Sequence, residues 1–325
     1  MDNSKLERSL EIFFRGLRGE DLSVGHLAAE YGVSTKSITR SLNDIKAFLA
    51  DHRELVGQTE LLYSYQDRCY RLHMEEFLSS RELFSLLEVL IGTRAFSKDE
   101  LLTLTEKLRA FTTPEDRSKL NDLIRKELFH YCAVKHDCES VQERLWQLVN
   151  CISEQLEITV EYYRKDRRWV TQRIRPSSVM FADHYFYLIA FHVGDPEKPA
   201  YFRVDRIKEL RIHRKHFTTQ EAPKFDEGWL RERSLFMWPG PLRTIRFQFT
   251  GPSVQAALDK LPTARIIEER TTDEGKVCYI LEAETYGDGI KMWLLSQGSW
   301  VKVLEPREFV EEMKAEIEKM QQYYR

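Results

Sequence analysis

Apolar residues recur at three- and four-residue spacing through the first half of the chain and at alternate positions through most of the second. The chain therefore divides into a helical part and a strand-rich part. Leu6, Leu10, Phe13 and Leu17 mark a helix over 5–19, and Val24 to Tyr31 predicts a second, entered by Ser23 and closed by Gly32. After the turn at Val33-Ser34, Ser34 can cap a third helix from Thr35 to Leu49, with Ile38, Leu42, Ile45 and Leu49 on one stripe. Glu60 to Tyr65 and Arg68 to His73, separated by Gln66-Asp67, predict a hairpin. From Ser80 to Leu156 the pattern is helical, through Leu83, Leu86, Leu87 and Leu90, then Leu101, Leu104, Leu108 and Phe111, then Leu120, Leu123, Ile124 and Leu128. It breaks at Thr113-Pro114 and again near 135–140; Ser80-x-Glu82 and Ser140-x-x-Glu143 read as helix starts, the latter opening a helix from Val141 to Glu154.

Beyond this point the period changes to two. Ile158, Val160 and Tyr162 alternate with Thr159, Glu161 and Tyr163. Runs at Trp169 to Arg175, Ser178 to Phe181, Tyr185 to Phe191, Ala200 to Val204 and Ile207 to Ile212 follow at short spacing, predicting a small barrel or strongly bent sheet. Phe217 to Trp238 reads as a connector whose Phe225, Trp229, Leu230, Leu235 and Phe236 should plug onto the barrel or the next domain. Residues 243–325 read βαββαβ plus a closing helix from Pro306 to Tyr323, the order of a ferredoxin-like sandwich. The fold class expected is multidomain α+β, with boundaries at 1–76, 77–156, 157–240 and 241–325.

Charge sharpens this picture locally. The net charge is only −3 with 31% charged residues, so no global basic field points to nucleic acid and any such site must be confined. One candidate is the third helix, where Lys36, Arg40 and Asn43 fall opposite the apolar stripe. Ser34, Thr35, Lys36, Ser37, Thr39 and Arg40 lie at its N-terminal end, where base edges and phosphates are reached. With the hairpin as a wing carrying Arg68 and Arg71 toward phosphate, the unit reads as a winged helix-turn-helix for double-stranded operator DNA. The other is the barrel. Arg164, Lys165, Arg167, Arg168, Arg173 and Arg175 stand there against a single Asp166, and Arg203 and Arg206 lie within Tyr201-Phe202-Arg203-Val204-Asp205-Arg206-Ile207. Guanidinium forks beside aromatics suit a phosphate plus a stacked base; the alternative is that these arginines pair with Asp205, Glu209 or Glu161.

Other chemistry is sparse. No Gly-rich phosphate loop, Gly-x-Ser-x-Gly elbow or His-Glu-x-x-His occurs, so an enzyme is not expected. His130, Cys132, His136 and Cys138 lie close together. In a helix Cys132 and His136 would share a face, but the paired spacing of zinc sites is missing, so neither metal nor cofactor is expected. The five scattered cysteines, the lack of an apolar run near 20 residues and the polar N-terminus predict a cytoplasmic protein with no membrane partner. The apolar helical region predicts a homodimer.

The strand ending in Tyr162, the Arg-x-x-Pro step from Arg173 to Pro176, the aromatic-Tyr-Leu strand at Phe186 to Leu188, and Phe-Arg-Val-Asp-Arg-Ile at 202–207 together resemble the WYL domain of bacterial transcription regulators. Phe186 stands where the family's name has Trp. The resemblance implies an Sm- or SH3-like barrel whose basic groove senses a nucleotide or nucleic-acid ligand, such as a short single-stranded oligonucleotide or a cyclic nucleotide. It implies Tyr162, Arg173, Ser177, His184, Tyr187, Arg203 and Arg206 as ligand-binding positions. The N-terminal region is similar to the DeoR-like winged helix of these regulators and the C-terminal region to their WCX extension. A ligand-responsive transcription regulator is the function implied; the alternative is a non-regulatory nucleic-acid-binding accessory factor of a defence or DNA-repair system.

Overall fold

The computed structural model describes residues 5–74, 78–110, 112, 114–164, 168–218, 226–271, 275 and 277–325. The chain falls into two compact units, Met1–Val134 and Lys135–Arg325. In the first unit, α1 (Lys5–Leu17), α2 (Val24–Tyr31) and α3 (Thr35–Asp51) precede a short α4 (Arg53–Val56) and a hairpin of β1 (Thr59–Ser64) and β2 (Cys69–Met74). Ile12, Leu22, Leu27, Ile38, Leu42, Ile45, Leu49 and Leu61 form its core, so the apolar stripe read on the third helix is its packed face. Ser34 caps α3 by accepting from the Ser37 N–H, whereas Ser23 holds the cap position of α2 without a side-chain cap bond. Gly32 ends α2 at φ 63°, a left-handed conformation that a side chain would strain. Leu22 exchanges backbone hydrogen bonds with Tyr70, tying the α1–α2 loop to the hairpin.

The helices α5 (Ser80–Thr93), α6 (Lys98–Arg109) and α7 (Pro114–His130) pack around Leu87, Ile91, Leu101 and Ile124. The helix α5 begins at Ser80 as read, but its cap lies one residue earlier than the Ser80-x-Glu82 signal placed it. Ser79, not Ser80, forms a reciprocal capping box with Glu82, and Ser97 forms another with Glu100 at α6. Because α7 ends at His130 and residues 131–136 are non-helical, Cys132 and His136 do not share a helical face.

The second unit opens with α8 (Val141–Ser153), capped by Ser140, and runs through β3 (Leu156–Tyr163), β4 (Trp169–Ala182), β5 (Tyr185–His192), β6 (Asp195–Arg203) and β7 (Ile207–His216). These five strands form one antiparallel sheet in the order β6-β5-β4-β3-β7, and a single 3-10 turn, Val204–Arg206, joins its two edge strands. The two strands read at 169–175 and 178–181 are one. The register steps from Pro176↔Ala190 to Ser178↔Ile189, leaving Ser177 as an extra residue in a bulge. This inverts the alternation, so Ile174 before the bulge and Val179 after it reach the same core, built with Leu148, Cys151, Ile158, Val160, Leu188, Ala190 and Phe202.

A connector helix, α9 (Glu227–Arg233), covers part of the opposite face: Leu230 and Met237 pack with Met180, Tyr187 and Ile189. Its next residues, Leu235 and Phe236, enter a separate core with Ile245, Phe247, Leu281, Ile290 and Phe309. The plug read in the sequence thus serves both sheets; Phe225 lies outside the described residues. The last sheet comprises β8 (Leu242–Phe249), β9 (Arg265–Thr271), β10 (Val277–Tyr286) and β11 (Val301–Glu305), antiparallel in the order β11-β8-β10-β9. With α10 (Val254–Lys260) and α11 (Gly289–Ser296) it keeps the βαββαβ order, and α12 (Arg307–Gln322) follows. A Cβ on Gly287 or Gly289 would lie 1.9 Å from the Trp238 carbonyl oxygen or 1.8 Å from that of Leu235, so the connector backbone seats directly on these glycines. Among the described residues no helix is long and apolar enough to cross a membrane.

Candidate functional site

At the open end of the five-stranded sheet, the last residues of β3 and β6, the first of β5 and the 3-10 turn converge on a groove of about 500 Å³. It is lined by Lys135, Asp137, Tyr163, Arg164, Tyr185, Arg203 and Arg206: four cations and two phenol rings against one carboxylate. Arg203 is fixed in two ways. Its guanidinium lies 3.4 Å from the centre of the Tyr185 ring, and Nε and Nη2 donate to the two Asp205 carboxylate oxygens at 3.1 and 2.5 Å. Burial alone would lower the Arg203 pKa, but the Asp205 carboxylate outweighs it and holds the group above its ordinary value. The ion pair weighed as the alternative therefore exists for Arg203, while Arg206 engages no carboxylate among the described residues. Backbone N–H groups of Asp137 and Cys138 both donate to the Asp205 carbonyl oxygen, at 2.8 and 3.2 Å, binding this segment to the turn. Lys165, Asp166 and Arg167 of the basic run lie outside the described residues.

Of the seven ligand positions implied by resemblance, the groove brings together two, Arg203 and Arg206. Tyr162 belongs to the inward alternation with Ile158 and Val160 and packs edge-on against Phe202; only its hydroxyl, accepting from the Arg203 N–H at 3.4 Å, approaches the site. Its outward neighbour Tyr163 lines the groove instead. Tyr187 faces the same side as Arg203, its register partner, but α9 and the connector bury it, and burial pushes its hydroxyl up to about 12. Tyr185, two residues closer to the strand end, takes its place. Arg173 is engaged elsewhere: with Lys215 and the buried Arg175 it surrounds the carboxylate of Glu157, at 2.7 Å from Arg173, 3.0 Å from Arg175 and 3.2 Å from Lys215. Ser177 is the bulge residue and His184 lies exposed in the β4–β5 turn, its ring 6.3 Å from that of Tyr185; neither lines the groove.

The first unit carries the second surface. Lys36, Arg40 and Asn43 are exposed on the face of α3 opposite its buried stripe, and neither cation engages a carboxylate among the described residues. Ser34 and Ser37 share a hydroxyl hydrogen bond at 3.0 Å, and the Thr39 hydroxyl donates to the Thr35 carbonyl, so the N-terminal turn presents an ordered polar rim. Arg68 stands in the hairpin turn at φ 54°. Arg71 is committed instead to Asp21 at 2.6 Å and Asp67 at 3.0 Å, which removes it from the simplest phosphate-contact reading.

Comparison with known proteins places a WYL domain at residues 143–212, from within α8 to β7, and a WCX domain at residues 241–321. Among solved structures the chain is similar to proteasome accessory factor B/C (PafBC) of Arthrobacter aurescens, at 16% identity and a TM-score of 0.30. That match covers 96% of this chain and 47% of the other, so the chain spans about half the length of that protein. No curated protein matches the chain.

Proposed function

Since the chain carries a WYL domain followed by a WCX domain, we propose that it is a DNA-binding regulator whose second unit senses a phosphate-bearing ligand, a short single-stranded oligonucleotide or a cyclic nucleotide. The single observation that carries this reading is the groove, in which Lys135, Arg164, Arg203 and Arg206 meet Tyr163 and Tyr185. In it, the Arg203–Tyr185 stack is a fixed wall held by Asp205, Arg206 grips phosphate, and the phenol rings offer faces to a base. The sheet around it, with its fifth strand paired to its first and a 3-10 turn between the edge strands, suits a small Sm- or SH3-like barrel. The C-terminal sheet order suits a ferredoxin-like sandwich. In the first unit, three helices and a hairpin suit a winged helix, with α3 entering the major groove.

A bound ligand changes DNA affinity only by preferring one arrangement of the protein over another; equal affinity for both shifts nothing. The test is selection of DNA sites with the purified chain, followed by gel shift with and without a single-stranded oligonucleotide. Arg206→Ala is expected to bind its operator as wild type does and to lose the response to the ligand. Operator binding lost outright in this variant without any ligand would sink the sensor reading, and DNA binding with no sequence preference would favour the accessory-factor reading.

A further inference from the structure

Two sets of backbone hydrogen bonds bracket the junction between the units. On one side, the Val134 N–H donates to the Arg94 carbonyl at 3.1 Å and Arg94 Nε donates to the Cys132 carbonyl at 2.7 Å, tying the chain up to Val134 to the helices before it. On the other, the Asp137 and Cys138 N–H groups meet the Asp205 carbonyl, tying the chain from Asp137 onward to the turn that carries Arg203 and Arg206. Only Lys135 and His136 stand between these anchors. Lys135 is exposed and lines the groove with Arg164, Arg203 and Arg206.

Resting on the groove reading above, we propose that Lys135 is itself a phosphate ligand of the groove, so that a bound phosphodiester is gripped at once by the 3-10 turn and by the segment that opens the second unit. The chemistry fits the division of labour. Arg203 is committed to Asp205, whereas neither Arg206 nor Lys135 engages a carboxylate among the described residues, so these two are the cations placed to meet a phosphodiester. The Lys135 ammonium, carried on a four-carbon stem at an exposed position, supplies a positive charge that a phosphate oxygen can meet. Asp205 is the positioning residue in this scheme: its carboxylate holds Arg203 while its carbonyl holds the junction, linking ligand contact to the only two residues between the anchors.

The experiment uses the full chain with two probes, a six-nucleotide single-stranded DNA and 3′,5′-cyclic adenosine monophosphate, which distinguish a polymer from a free cyclic phosphodiester. Affinity is read by anisotropy and calorimetry, and amide exchange is followed at Asp137 and Cys138. Lys135→Ala is expected to weaken binding of the preferred probe by about tenfold, with Lys135→Arg restoring most of it. At saturation the probe is expected to slow exchange of both amides in the wild type and to leave them unchanged in Lys135→Ala. Unaltered affinity and unaltered protection in Lys135→Ala, with Arg206→Ala still impaired, would overturn the role of Lys135 and leave the groove standing. Wild-type binding of neither probe, or full binding by Arg206→Ala, would overturn the groove reading itself.

Discussion

Glu157 is fully buried, and three cations converge on it. Burial alone would raise its pKa, but Lys215, Arg175 and Arg173 outweigh burial and hold the carboxyl below its ordinary value of 4.5. A group depressed in this way contributes stability above its unfolded pKa and loses it as pH falls through the folded one. Stability is therefore expected to decline below about pH 4.5, with a shallower acid decline in Glu157→Gln. At neutral pH the same substitution leaves the buried Arg175 guanidinium without its counter-charge and is expected to cost about 3 kcal/mol, measured by urea unfolding. None of this cluster was legible in the sequence, because Glu157 and Arg173 meet only through strand pairing. The placement of Tyr162 and Tyr163 was legible: Tyr162 is in phase with the apolar Ile158 and Val160, so alternation alone puts it on the core side and Tyr163 on the outer side. Tyr185 and Tyr187 share a parity, so only the connector that buries one of them could separate the two.

At the scale of elements, α3 carries the clearest functional expectation. Its cap, packed stripe and exposed Lys36 and Arg40 were all readable from spacing. Lys36→Ala with Arg40→Ala is expected to stay folded and to lose DNA affinity by about 2 kcal/mol at moderate salt, read by gel shift; affinity equal to wild type would remove α3 from the interface. The capping box of α5 offers a purely structural contrast: Ser79→Ala is expected to cost about 1 kcal/mol in thermal or urea unfolding, with DNA affinity per folded molecule unchanged. Strand β4 shows where periodicity fails. The pattern predicted two strands, yet a bulge at Ser177 keeps one continuous strand by shifting the register by one residue. The C-terminal βαββαβ order was recovered from local pattern because the elements there are short and separated by turn residues.

For the whole molecule, the helices of the first unit leave Leu86, Val89, Leu123 and Phe129 exposed, apolar surface that a second copy can cover. Light scattering at micromolar concentration is expected to give twice the 38.6 kDa chain mass; a single-chain mass both with and without DNA would count against a dimer. The connector around α9 has a different consequence. Leu230 and Met237 complete one core, Leu235 and Phe236 complete another, and Gly287 and Gly289 admit its backbone between them. Neither sheet owns this segment, so exchanging one module together with the connector strips side chains from the core of the other. A chimera joined directly after residue 217 to a foreign C-terminal module would keep every strand of its first sheet and still lack Leu230 and Met237, which shelter Met180, Tyr187 and Ile189. In calorimetry, residues 135–325 are expected to melt as one transition, and such a chimera as two or as an aggregate.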